Sequence, residues 1–344
     1  MWPCETGSLS DVQIEMPPRT GKRRVSRRAG AQSRMKRARA VVVSRRVQFK
    51  SAMTVAGAMA AILAATRRHW TVNVPALLAG TDTEAVHQFR VGLRRFRSAL
   101  KLFKRHIEKE QRQWLDREAK WFLSAFGPTR DLDVLVTELI PAVKGVENQV
   151  AFKALRTAAM AARVAAFRSA VRALRTTRYQ RFMIRLDMWL EGASWRSADR
   201  SGATIETAAA DIISRRLAKL VARGDTLDRM NPAERHATRI AAKKCRYGLE
   251  FFQDVLPRRR AAKLFQILKS IQDGLGHSND VTTATELVET LADSPLAPNV
   301  RKLITTGGRR LIAHHAKLDR RSRGKTDGHW SALQRNVSDF RIQT

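Results

Sequence analysis

From Val47 onward apolar residues recur at intervals of three and four on a background rich in Ala, Leu, Arg and Glu, with little β-branched alternation. That is the period of amphipathic helices rather than strands. The pattern predicts helices over 47–68, 82–105, 109–125, 130–140, 146–174 and 177–191, then 203–222, 232–254, 258–274, 279–292 and 298–320, and no strand. Asn231 followed by Pro232 reads as an N-cap with proline in the first turn, and Gly127 and Gly276 stand where a left-handed C-cap would close a helix. Residues 196–202, polar and bearing Ser and Gly, separate two halves, 47–191 and 203–320, with 321–344 as a C-terminal tail. Residues 1–46 hold Pro17, Pro18, Gly21, Gly30 and a dense basic run with little apolar period, the composition of a disordered basic arm.

The two halves are related by a gapless repeat at an offset of 149 residues. His87 meets His236, Arg90 meets Arg239, Arg94 and Arg95 meet Lys243 and Lys244, and Arg97 meets Arg246. In the same register Leu100 meets Leu249, Phe103 meets Phe252, Gly127 meets Gly276, Thr129 meets Ser278 and Asp131 meets Asp280. The pattern predicts an all-α protein whose two parts are an internal duplication.

On a helix, His87, Arg90, Arg94, Arg97, Lys101 and Lys104 fall in one stripe, beside an apolar stripe of Phe89, Leu93, Phe96, Leu100 and Phe103. His236, Arg239, Lys243 and Arg246 repeat the cationic stripe, backed by Leu249 and Phe252. A solvated helix face usually mixes both signs of charge. Here no acid interrupts the stretch from His87 to Arg105, so its cations repel one another and an anion should compensate them. Arginine offers phosphate oxygens a planar donor fork, and lysine a mobile point charge. A lone histidine is most often structural, yet His87 and His236 recur in register at the head of each stripe, which favours contact with an anion. Asp131 and Asp280 follow Thr129 and Ser278, so two readings stand side by side: acids in the first turn of a capped helix, or groups that orient the arginines.

Charge sharpens this picture. The 344 residues include 65 Lys and Arg against 31 Asp and Glu, a formal net charge of +34, which calls for an anionic partner. Charge alone does not separate polyphosphate, nucleic acid, anionic lipid and acidic protein. Cys4 and Cys245 lie far apart without a CxxC, so neither a disulfide framework nor a zinc site is expected, and a reducing cytoplasm fits. The apolar run 52–65 is too short to cross a membrane. Its basic flank imitates a signal peptide some fifty residues from Met1, and a buried helix is the better reading. No P-loop, metal-ligand cluster or activated nucleophile is apparent, so no enzyme activity and no cofactor or metal is expected.

The segments VHQFRVGLRRFRSALKLF from Val86, GPTRDLDVL from Gly127, RHATRIAAKKCRYGLEFF from Arg235 and LGHSND from Leu275 closely resemble the CHAD family, the conserved-histidine α-helical domain, over roughly 47–318. The resemblance implies two antiparallel helical bundles about a pseudo-twofold axis and a basic surface that binds inorganic polyphosphate without catalysis. It also implies a place in the cytoplasm at polyphosphate granules. The expected binding residues are His87, Arg90, Arg94, Arg95, Arg97, Lys101, His236, Arg239, Lys243, Lys244 and Arg246. Family members often accompany a CYTH triphosphatase domain, whose ExExK motif has no counterpart here: Glu108, Glu110 and Arg112 lack the lysine and lie in helical text. Nucleic acid is the alternative partner, favoured by the arm and seven tryptophans but without an RNA-binding motif or aromatics interleaved in the stripe. Gly92 and Gly248 are unusual inside helices and suggest close approach of a helix or ligand.

Overall fold

The computed structural model describes residues 41–80, 83–145, 149–192, 203–227 and 229–342. The expected arm over 1–40 and the break at 196–202 lie outside them. The described residues are helical apart from connecting segments: α1 Val55–Thr71, α2 Val74–Ala79, α3 Thr83–Leu102, α4 Lys109–Ala125 and α5 Gly127–Val134, then α6 Val150–Leu174 and α7 Thr177–Glu191. The second half holds α8 Ile205–Val221, α9 Pro232–Phe251, α10 Arg258–Ala292 and α11 Pro298–Ile342. A π-helical turn, Leu135–Leu139, and a last turn, Ile140–Ala142, prolong α5.

Helix ends follow local chemistry. The Thr54 hydroxyl accepts from the Gly57 amide at 3.1 Å, so α1 begins at Val55 rather than at 47. Asn231 and Glu234 form a reciprocal capping box that opens α9 at Pro232, as its sequence indicates. The two halves touch where they begin: Thr54 and Thr204 form an isolated antiparallel bridge, with Ile205 N donating to Met53 O at 2.8 Å.

Four expectations change. Gly127 starts α5 and Gly276 lies inside an unbroken α10, so neither is a left-handed C-cap; the left-handed glycine among the described residues is Gly145, with φ 75°. Helices expected over 258–274 and 279–292 are therefore one. The last helix runs on to Ile342, because Trp330, Leu333 and Val337 recur at helical spacing and are buried, and the Trp330 indole donates to Gly224 O at 3.1 Å. Residues 41–46, expected in the arm, pack on the domain. Val42 N donates to the Asn73 side chain, whose amide donates back to Val42 O, both at 2.9 Å, and Arg46 pairs with Asp254.

The apolar interior does not divide at the boundary between halves. The larger core takes Phe89 and Phe96 from α3 and Phe103 just beyond its end, together with Ile213, Leu217, Leu249 and Phe252 from the second half. The smaller core joins Leu135 and Leu139 to Phe152 and Leu155 of α6, Val288 of α10, and Ile304 and Leu311 of α11. The apolar stripe of α3 is thus fully buried, as its period requires. A Cβ on Gly92 would sit 2.8 Å from the Trp70 amide nitrogen, so this glycine permits the close approach of α1 and α3. On Gly248 it would meet Ile213 of α8 at 2.7 Å.

A cationic centre between two helices

Helices α3 and α9 start and end 149 residues apart, and each turns its apolar stripe inward. Their cationic stripes then meet across the seam. Arg94 of α3 faces Arg239 and Lys243 of α9, and the charges of Arg90, Arg94 and Arg246 all act on Lys243. Burial first and these neighbouring cations second push the Lys243 ammonium down to about 7. Burial, with Arg94 beside it, holds Arg90 down to about 10, and burial lowers Arg239 likewise.

Each arginine lies beside a glycine. A Cβ on Gly127 would lie 3.6 Å from the Arg90 guanidinium, and one on Gly276 would lie 3.6 Å from that of Arg239. Arg90 Nη1 donates to Leu123 O at 2.6 Å, yet Nε of Arg90, Arg94 and Arg239 is buried without a hydrogen-bond partner among the described residues. Buried donors of this kind are costly unless a further acceptor arrives.

Asp131 and Asp280 lie beside Arg90 and Arg239 respectively, and both carboxylates line one small cavity of about 40 Å³. Burial raises both above the usual carboxylate range, against the pull of the arginines. Neither acid stands in the first turn of a helix: Asp280 is mid-helix and Asp131 is beyond the first turn of α5, while the Thr129 hydroxyl is buried without a partner among the described residues. Each carboxylate acts on its arginine through charge, without a hydrogen bond between them among the described residues.

The other expected residues separate into groups. His87 is half-buried beside Arg130, and burial together with the Arg130 charge lowers its pKa; Arg130 in turn binds Glu138 at 2.8 Å. His236 is exposed and its Nδ1 lies 2.8 Å from Asn279 Oδ1. Arg97 grips Asp116 of α4 with two bonds of 2.8 and 3.1 Å, and Lys101 stands 3.7 Å from the same carboxylate. The acid that compensates part of the stripe therefore comes from a neighbouring helix, which the absence of acids within α3 could not reveal. Arg246 instead lies over Phe265 and Tyr247, at 5.5 and 5.1 Å from the ring centres, and donates to Gln272 at 3.1 Å. Arg95 points away from the centre. It is 4 % exposed, pairs with Glu250 and lies 4.9 Å from the Phe251 ring. Lys244 is half-buried near Lys101, and near Arg216 of α8 and Arg223 just beyond it, two cations outside the repeated stripes. Arg215, Arg216, Lys219 and Arg223 do share a face by helical spacing, which was the signal for them.

No group of His, Cys, Asp and Glu among the described residues is arranged to hold a metal ion, and no described helix is long and apolar enough to cross a membrane. These features define an all-α domain with a cationic centre on paired helices. The CHAD domain profile matches residues 61–289, and the chain belongs to the CHAD family. Its structure is similar to the crystal structure of the CHAD domain from the plant Ricinus communis, with a TM-score of 0.71 and 26% identity over 87% of this chain and 96% of that one. It is also similar in fold to PptA from Streptomyces chartreusis, with a TM-score of 0.53 and 15% identity over 84% of this chain and 99% of that one. Comparison with curated proteins finds no match.

Proposed function

We propose that this CHAD protein binds inorganic polyphosphate through the centre between α3 and α9, catalyses no reaction there, and is thereby held at polyphosphate deposits in the cytoplasm. The observation that carries this reading is the convergence of Arg90, Arg94, Arg239 and Lys243, with buried unpartnered guanidinium nitrogens and an ammonium driven down to about 7. A chain of phosphate oxygens would supply acceptors and restore the charge at once. The duplication belongs to the same reading, supported by equal helix bounds and by the matching Arg90–Gly127 and Arg239–Gly276 contacts.

Nucleic acid fits the centre less well, since base stacking needs accessible aromatic faces. Trp70 and Trp330 are buried, and Trp114 and Trp121 are covered by Arg185 and Arg178 at 4.3 and 4.2 Å. The test is competition for labelled polyphosphate by unlabelled polyphosphate, single-stranded RNA, duplex DNA and heparin at equal charge concentration. Polyphosphate should compete best, with no phosphate released. Equal displacement by RNA or DNA would replace this reading with general polyanion binding.

A further inference from the structure

The seam between α3 and α9 has two flanks that exchange under the 149-residue register, and they are chemically opposite. On one flank Arg95 meets Glu250. The residues in the corresponding positions on the other flank are Lys244 and Lys101, so an ion pair is replaced by two like charges.

The helices behind the seam differ in the same way. Helix α8 begins and ends 150 residues after α1. Thr66, His69 and Asn73 at the back of the first flank are neutral, buried and bonded, to Leu63 O, Gln88 and the Val42 backbone. Burial lowers the pKa of His69, which keeps it uncharged. Their counterparts behind the second flank are Arg216, Lys219 and Arg223. The cavity on the first flank, about 520 Å³, includes Glu250 in its wall, and its Arg46 is paired with Asp254. The cavity on the second flank, about 370 Å³, has no acid in its wall. Lys104, Arg105 and His106 add to its basic lining. Two of its cations have acid partners outside the wall, Lys101 in Asp116, which Arg97 also holds, and Arg215 in Asp211 at 2.8 Å; no such ion pair is formed by Lys219, Arg223 or Lys244 among the described residues. Cys245 also lines it, but burial pushes its thiol up to about 12, so it stays protonated and offers no nucleophile.

We infer that this second-flank cavity is a separate binding site for a compact, multiply charged condensed phosphate of the tripolyphosphate class, either free or as the end of a longer chain. Size and charge decide the class: the volume lies in the range of small-ligand pockets of roughly 300–1,000 Å³, and cations from α3, α8 and α9 converge on this one half-open cavity, so a short anion meets charges from three helices at once. Apolar Leu102, Ile212 and Leu220 in its wall limit hydration of those charges and strengthen their pull.

The test compares two variants of the full chain by calorimetry, with tripolyphosphate and long-chain polyphosphate as probes. Lys219→Gln with Arg223→Gln alters only exposed residues at the end of α8 and just beyond it, and Arg94→Gln with Lys243→Gln alters the centre. The α8 variant should lose at least tenfold in tripolyphosphate affinity, while the centre variant changes it less than threefold. Loss of long-chain affinity in the α8 variant as well would mark the site as a holder of chain ends; loss of tripolyphosphate alone would mark it as a site for free short anions. Unchanged tripolyphosphate binding in the α8 variant, with thermal melting showing it folded, would overturn the site. Loss of long-chain binding in the centre variant alone would at the same time leave the reading of the centre standing. Insensitivity of long-chain binding to the centre variant would overturn the latter and not the cavity.

Discussion

Helices α3 and α9 carry the same motif but employ it differently. On α3, Arg95 is consumed by Glu250, Arg97 by Asp116, and Arg90 is tied to Leu123 O. On α9, Arg239, Lys243, Lys244 and Arg246 make no ion pair with an acid among the described residues; at the position matching Asp116 stands Phe265, over which Arg246 lies. On α3 the stripe is largely engaged in contacts within the domain, Arg94 excepted, whereas on α9 its cations stay unpaired with acids among the described residues. A repeated motif therefore does not guarantee a repeated role, and the partners on adjoining helices decide it.

The strongest way to break this contrast is to neutralise each copy. Arg239→Gln, Lys243→Gln and Arg246→Gln together should lower polyphosphate affinity on the order of a hundredfold and reduce the salt-dependence slope by about 2, for three lost contacts at about 0.7 ions each. Melting temperature without ligand should hold or rise as repulsion is relieved. Arg90→Gln, Arg94→Gln and Arg97→Gln should also weaken binding, but with a lower melting temperature, because the Asp116 carboxylate loses its two-bond partner. Equal melting shifts in the two triple variants, measured by calorimetry, would erase the distinction.

The next effect isolates the structural use of a binding-type residue. Arg95→Met should cost about 2 kcal/mol in denaturant unfolding, since Glu250 is left without its partner, while polyphosphate affinity changes less than twofold. A large loss of affinity with full stability would return Arg95 to the binding centre.

The smallest effect concerns protons. Lys243 has its pKa lowered to about 7 in the fold, against about 10.4 in an unfolded chain. Between those values the unfolded chain holds a proton that the native protein has lost, so this group makes the free protein gain stability as pH rises through that window; below it the penalty is present in full. A bound anion favours the charged lysine, so binding near pH 8 should take up close to about one proton. Calorimetry in buffers of different ionisation heat should show this uptake, and Lys243→Gln should abolish it.

What could be read from the chain was whatever depends on periodicity. The apolar seam of α3, the N-cap at Asn231 and the bounds of α4 and α7 follow from neighbours a few positions away. Gly127 and Gly276 look like punctuation in the sequence, yet the first opens α5 and the second is carried inside the 35-residue α10. The end of α11 was lost in polar text because Trp330 and Leu333 find their cover in a core built largely by distant helices. The cationic members of the centre were legible as a stripe. Which of them were already spoken for was not, since Asp116 and Glu250 belong to α4 and to the far side of the seam.

The mixed parentage of the smaller core sets a schedule for synthesis. Phe152 and Leu155 of α6 are covered by Ile304 and Leu311 of α11, about 150 residues downstream. At roughly 5–20 residues per second, α6 leaves the ribosome on the order of ten seconds before the helix that shields it. During that interval its greasy edge is open to any passing chaperone or sister chain, and the first half cannot mature as an independent intermediate.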